Sequence, residues 1–250
     1  MGAAVIAIHP VEKRMPAAPK HAASCSSCNL RELCLPGALD GEDLARVDHL
    51  VYARRRLKRG EALYQAGTEF NAIYAIRSGS FKASLFDGEG HEQVSGFFMG
   101  GELLGLEGLG SGSYQASAIA LEDSEICVLP YSLIEQLCRE IPALQRRLHT
   151  VLAREIVRDH GVMMLLGTMR AEQRLATFLL NLSARSKRRG YSSSDFHLRM
   201  SREEMGSYLG LKLETVSRLF SQFHEARLIE VDYRHVRIVD VQGLQRLVSS

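Results

Sequence analysis

The chain predicts an α+β fold: a β-roll, then one long helix, then a helix-turn-helix with a two-stranded wing. Three observations carry this. Between residues 53 and 130, short β-compatible runs alternate with glycine-bearing turns. From Pro142 the apolar period becomes helical. Around Gly210, two short amphipathic segments meet at a glycine. With 250 residues the chain can form one large or two modest domains with a sizeable core.

Residues 1–20 are Ala/Pro-rich and patternless, and are expected to be a flexible tail. A cysteine loop and the β-roll follow over 21–138, with a short helix expected near 40–50. Strands are expected at 72–76, 81–86 and 94–98, separated by turns at Gly67, Gly79, Gly88, Gly90 and Gly100-Gly101.

The long helix occupies 139–168. Leu148, Leu152, Ile156, Asp159, Met163 and Leu166 recur at steps of four, four, three, four and three, which makes one apolar stripe. A partner helix covers such a stripe better than a neighbouring sheet, so this element is assigned to dimerisation. In a symmetric pair two Asp159 carboxylates would face each other and repel. A solvated Asp159 at the stripe edge is the competing reading, and the residues alone do not separate the two.

The last unit, 169–250, begins with an amphipathic segment over 171–184 and a basic loop of Lys187, Arg188, Arg189 and Gly190. Ser201 and Glu204 form an S-x-x-E capping box, Met205, Tyr208 and Leu209 supply a buried face, and Gly210 can end the helix. A second helix from about Leu213 to Glu225 would bury Val216, Leu219, Phe220 and Phe223. That leaves Lys212, Glu214, Thr215, Ser217 and Arg218 near its start as candidate DNA contacts, since this part of such modules enters the major groove. Arg218 can bind guanine bidentately, Glu214 can accept from cytosine N4, and Ser217 is adaptable. Apolar runs at 228–231 and 236–239 flank a polar turn as a wing would. From Arg170 onward there are 14 Lys+Arg against 9 Asp+Glu, while the remainder is net negative, a division that suits nucleic-acid binding.

The cysteines are the most informative chemistry. Cys25, Cys28 and Cys34 lie on one short loop, and Cys127 lies far off in the body of the chain. Five cysteines is an odd count, which argues against a fully paired disulfide framework. Four thiolates suit either an iron–sulfur cluster or tetrahedral zinc, and spacing leaves both open. The fifth, Cys138, follows Leu137 in an apolar run and reads as an inert core residue. No run approaches ~18 consecutive apolar residues, and the N-terminus lacks a signal-type apolar segment, so a cytoplasmic protein is expected, with no membrane partner. A radical-SAM C-x3-C-x2-C, G-x-S-x-G, P-loop and H-E-x-x-H are all absent, so no enzyme is expected. His91 and Glu92 lack a partner ligand in register and read as a surface loop; His149 near the stripe reads as an ordinary, partly buried histidine.

The order of cysteine loop, roll, long helix and winged helix-turn-helix resembles the cyclic-AMP receptor/FNR superfamily of bacterial transcription regulators, specifically its oxygen-sensing FNR branch. Residues 63–80 (LYQAGTEFNAIYAIRSGS) and 206–219 (GSYLGLKLETVSRL) look closely similar to it. The resemblance implies a cyclic-nucleotide-binding-like roll. It also implies that Cys25, Cys28, Cys34 and Cys127 hold a [4Fe-4S] cluster, which oxygen converts to [2Fe-2S] so that the dimer falls apart. It gives Glu214, Ser217 and Arg218 the E-x-x-S-R role of reading a TTGAT half-site of double-stranded DNA, and Asp159 the role of keeping the cluster-free form monomeric. RNA polymerase is an implied partner, with the loop at 86–93 as a candidate surface. One departure matters: the cyclic-nucleotide branch carries an arginine after its G-E-[IL] turn. Gly101-Glu102-Leu103 is present here, but 112–120 (GSYQASAIA) has no arginine, so no cyclic nucleotide is expected. The competing readings are a zinc-stapled regulator indifferent to oxygen and a regulator gated by a small ligand.

Overall fold

The computed structural model describes residues 24–249 apart from Ala38, Tyr52 and the side chain of His49; the expected tail at 1–20 lies outside the described residues. After the cysteine loop come helix α1 (Gly41–Val47) and a 3-10 turn (Asp48–Leu50). Eight strands follow: β1 (Ala53–Leu57), β2 (Ala62–Tyr64), β3 (Ala72–Ser78), β4 (Ser80–Phe86), β5 (Glu92–Met99), β6 (Leu103–Leu104), β7 (Ser117–Ala120) and β8 (Ser124–Pro130). They form two antiparallel four-stranded sheets, ordered β1-β8-β3-β6 and β2-β7-β4-β5. The roll interior is packed with side chains. Tyr64 stacks on Tyr114 with ring centroids 4.1 Å apart, and the Tyr114 hydroxyl donates to the Ala72 carbonyl at 2.8 Å.

Helix α2 (Tyr131–Glu140) leads directly into α3 (Pro142–Thr168). The sequence reading missed α2 and began the helical region at Pro142. Pro142 lacks an N–H and fits the first turn of a new helix, so it divides two helices rather than starting the first. Leu35, Leu50, Ile73, Leu129, Ile134 and Leu144 make a core that ties the cysteine loop, α2 and the head of α3 to one face of the roll.

The C-terminal unit holds α4 (Ala171–Arg188), β9 (Asp195–His197), α5 (Arg202–Leu209), α6 (Leu213–Glu225), β10 (Ile229–Asp232), β11 (His235–Ile238) and α7 (Val241–Ser249). Its wing has three strands, ordered β10-β11-β9, rather than the two expected. The expected basic loop is largely the last turn of α4, where Lys187 and Arg188 complement the helix C-terminus. This unit shares its core with the roll. Phe97 of β5 meets Phe178 of α4 and Tyr208 of α5, with centroids 5.9 and 5.4 Å away. Glu92, expected in a surface loop, opens β5, and its carboxylate pairs with Lys82 at 2.7 Å because the hairpin turns it back over β4.

Candidate functional site

The cysteine loop is a run of consecutive turns. Cys28 N donates to the Cys25 carbonyl at 3.1 Å, Arg31 N to Cys28 at 3.1 Å, and Cys34 N to Arg31 at 3.0 Å. Asp48, just after α1, pins the first turn by accepting from Ser26 N at 2.9 Å, Ser26 Oγ at 2.7 Å and Ser24 Oγ at 3.0 Å. Leu30 and Leu33 seat on the Gly100-Gly101 turn, where a Cβ on Gly101 would come within 2.8 Å of Leu33 Cβ; Gly101 also has φ +85°. Those glycines therefore let the loop dock on the roll. Cys127 lies mid-strand in β8, opposite Arg54 of β1 and Ala75 of β3.

Cys25, Cys28, Cys34 and Cys127 line one pocket whose walls include Leu30, Leu35, Leu50, Val51, Ile76 and Leu129. All four thiols are free and half-buried. Burial pushes Cys25 and Cys34 up to about 12, and the neighbouring thiols push the same way. Burial also raises Cys127, with Arg54 and Arg77 opposing. Thiols in this pocket thus become good ligands only when a positively charged group offsets their burial and mutual repulsion. Among the described residues, no three Cys, His, Asp or Glu side chains converge closely enough to hold a single metal ion. The four thiols share the lining of one pocket. Four thiols around an apolar-walled space, with two arginines beside one of them, fit a thiolate-held iron–sulfur cluster.

Arg147 of α3 joins the loop to the long helix. Its Nη2 donates to the carbonyls of Glu32 and Cys34, both at 2.9 Å, and its Nε to Cys34 at 3.2 Å. Sequence reading missed this residue, because its partners are backbone atoms more than a hundred positions away.

The stripe on α3 divides. Leu148, Leu152 and Leu166 are half-buried, whereas Ile156, Asp159 and Met163 are exposed, Ile156 at 56% and Met163 at 62%. His149, expected to be partly buried, is exposed because it lies off the packed face that carries Leu144, Arg147 and Val151. Cys138 is half-buried against the core around Ile134.

In the C-terminal unit the capping box closes, with Glu204 N donating to Ser201 Oγ at 3.1 Å and Ser201 N to Glu204 Oε2 at 2.7 Å. Gly210 ends α5 at φ +62°. Between the helices, Gly206 admits the Leu211 carbonyl, which would lie 2.6 Å from a Cβ. Helix α6 buries Val216, Leu219, Phe220 and Phe223; Lys212, Glu214, Ser217 and Arg218 are exposed, and Thr215 is half-buried. Among the described residues no ion pair ties down Lys212, Glu214 or Arg218, so they are free to meet a ligand. Arg202 was missed: its guanidinium lies 3.2 Å from the Phe220 ring centroid, supporting α6 from beneath.

Comparison with known proteins agrees with this architecture. Residues 54–141 match a cyclic nucleotide-binding domain, and 173–247 match a Crp-like helix-turn-helix domain. The chain is 45% identical to the transcriptional regulatory protein btr of Bordetella pertussis, over 96% of this chain and 98% of that one. It is 44% identical to the transcriptional activator protein Anr of Pseudomonas protegens, over 87% and 89%. The structure of FixK2 from Bradyrhizobium japonicum superposes with a TM-score of 0.73 at 28% identity, covering 79% of this chain and 97% of that one. Among the described residues, no helix is long and apolar enough to cross a membrane. These relatives are regulators rather than enzymes, and with coverage this complete the chain belongs to the CRP/FNR family of DNA-binding transcription regulators.

Proposed function

We propose that this regulator senses oxygen through a [4Fe-4S] cluster on Cys25, Cys28, Cys34 and Cys127, and acts in the cytoplasm on genes used without oxygen. The observation that carries the reading is the shared pocket: three loop thiols and one strand thiol surround a single space against the head of α3. When bound, the cluster supplies an oxygen-labile link among four thiolates. The protein does the rest. Asp48 shapes the first turn, the glycine turn seats Leu30 and Leu33, and α3 carries the state of the loop along its length.

A second copy covers the α3 stripe, burying the exposed Ile156 and Met163 and holding Asp159 against its counterpart. Two α6 helices then sit about 34 Å apart, one DNA turn, on a palindrome of TTGAT half-sites. Glu214, Ser217 and Arg218 read base edges, while Lys212 and Thr215 hold the flanking backbone. RNA polymerase meets the complex through the exposed hairpin at 86–93. The absence of arginine from 112–120 and the packed tyrosine stack support a roll that takes no cyclic nucleotide.

The zinc-stapled alternative uses the same four thiols and differs in being indifferent to oxygen. A DNA-binding titration decides the matter. Protein kept without air should bind a TTGAT palindrome far more tightly than scrambled DNA and lose that preference after exposure to oxygen. Equal preference before and after oxygen would point to the oxygen-indifferent regulator.

A further inference from the structure

We propose that Arg147 is the positioning residue that couples the cysteine loop to the dimerisation helix: it transmits the state of the thiol pocket without belonging to it. The inference rests on the proposed cluster-gated dimer and names the contact through which the gating passes.

Arg147 is only 9% exposed, yet among the described residues it forms no direct ion pair, and the Glu32 charge acts on it only at longer range. Its guanidinium instead takes three hydrogen bonds to two backbone carbonyls, Glu32 and Cys34, the latter belonging to a candidate ligand. A buried arginine held by carbonyls alone is a costly arrangement, tolerated where both carbonyls stay in place. The loop is built to receive it. A Cβ on Gly37 would lie 2.8 Å from Arg147 Nη2, 2.6 Å from the Glu32 carbonyl and 2.9 Å from the Arg31 carbonyl. The glycine thus leaves room for the guanidinium under the turn.

On α3, Arg147 lies between Leu144 and Val151 on the packed face and adjoins Leu148, the first residue of the stripe. Any rearrangement at Cys34 that turns its carbonyl away strands a buried cation within one turn of the dimer seam. The helix must then shift or roll to hydrate it. Collapse of the loop is thereby converted into displacement of the seam, and an intact loop fixes the register of α3.

The test uses the full chain, reconstituted with iron and sulfide without air. Three variants are compared: Arg147→Met, which keeps length but removes the donors; Arg147→Lys, which keeps the charge; and Gly37→Ala, which crowds the guanidinium from the opposite side. Arg147→Met should take up iron and sulfide to the wild-type level with an unchanged absorbance spectrum. Its dimer should nevertheless dissociate at a concentration about tenfold or more above that of wild type, by sedimentation. Gly37→Ala, whose Cβ also presses on the Glu32 and Arg31 carbonyls that receive the guanidinium, should loosen the dimer likewise, while Arg147→Lys should recover part of the Arg147→Met loss. A loaded Arg147→Met protein that dimerises as tightly as wild type overturns the proposal. So does failure of Arg147→Met to load at all, which would make Arg147 a residue of loop folding. If wild type itself takes up no cluster, the proposed function falls, and hydrogen exchange on the unloaded chain still decides the coupling. Arg147→Met should then speed exchange in 31–37 and at 142–151 together; acceleration of the loop alone refutes it.

Discussion

The Lys82 ammonium of the roll lies 3.3 Å from the Glu204 carboxylate, the same residue that closes the capping box at the head of the helix-turn-helix. Lys82 is 9% exposed and also pairs with Glu92 at 2.7 Å, so one buried cation holds both the β4–β5 hairpin and α5. Around it, Val94 N donates to Ser207 Oγ at 2.8 Å. The roll and the DNA-binding unit therefore meet through a specific polar seam laid over the Phe97–Phe178–Tyr208 cluster.

Lys82→Met should remove roughly 1–3 kcal/mol of stability, because Glu92 and Glu204 lose their counter-ion while still partly shielded. Adding Glu204→Gln, which can still cap α5, should restore part of it. Urea unfolding of the single and double variants measures both effects; additive losses would show that the pair does not interact.

Glu102 lies between Arg185 of α4 and Arg189 just past its end, 2.6 Å from Arg185 Nη2 and 2.5 Å from Arg189 Nη2. Burial would raise its carboxyl, yet the arginines hold it below the ordinary value of 4.5. A depressed carboxylate stabilises the fold fully above its unfolded value, and that contribution fades as pH falls through the lower folded value. Glu102→Gln should cost about 2–4 kcal/mol near neutrality, somewhat less than a fully buried pair because some solvent reaches the carboxylate. The difference from wild type should shrink as the pH is taken below 4.5. A gap that stays constant down through that range would place the stabilisation elsewhere.

Asp159→Ala should move the air-exposed protein from monomer toward dimer, since it removes the facing like charges of the proposed seam. Sedimentation in air reads this directly. An unchanged profile would leave Asp159 as a solvated residue on the edge of the helix.

Arg218→Ala should weaken binding at the palindrome by about 1–3 kcal/mol while weakening random DNA much less. Lys212→Ala should weaken both to a similar degree and lower the salt dependence. Competitive DNA titrations at two salt concentrations separate these roles, and equal losses for Arg218→Ala on both DNAs would reduce it to a phosphate contact.

The helix-turn-helix was legible because its determinants are local: Ser201 and Glu204 are three positions apart, and Gly210 marks the turn. The roll was legible as strands punctuated by glycines, though not their pairing order. Helix α2 went unseen because it follows β8 without a glycine break and is divided from α3 only at Pro142. Strand β9 is three residues long and exists through its pairing with β11, which no alternation within Asp195–His197 could signal. The cysteines stood out by type and spacing, but their shared pocket depends on β8 lying behind the loop. The contacts of Arg147, Lys82 and Glu102 could not be read for one reason. Each owes its role to partners far along the chain, and a charged residue in isolation reads as surface.

The most direct measurement is an iron and acid-labile sulfide assay with an absorbance spectrum, on wild type and Cys28→Ala purified without air, repeated after oxygen. Wild type should be brown, carry about four irons per chain and bleach in oxygen, whereas Cys28→Ala should hold little iron. A colourless wild type, or one carrying zinc alone, would contradict the proposed cluster.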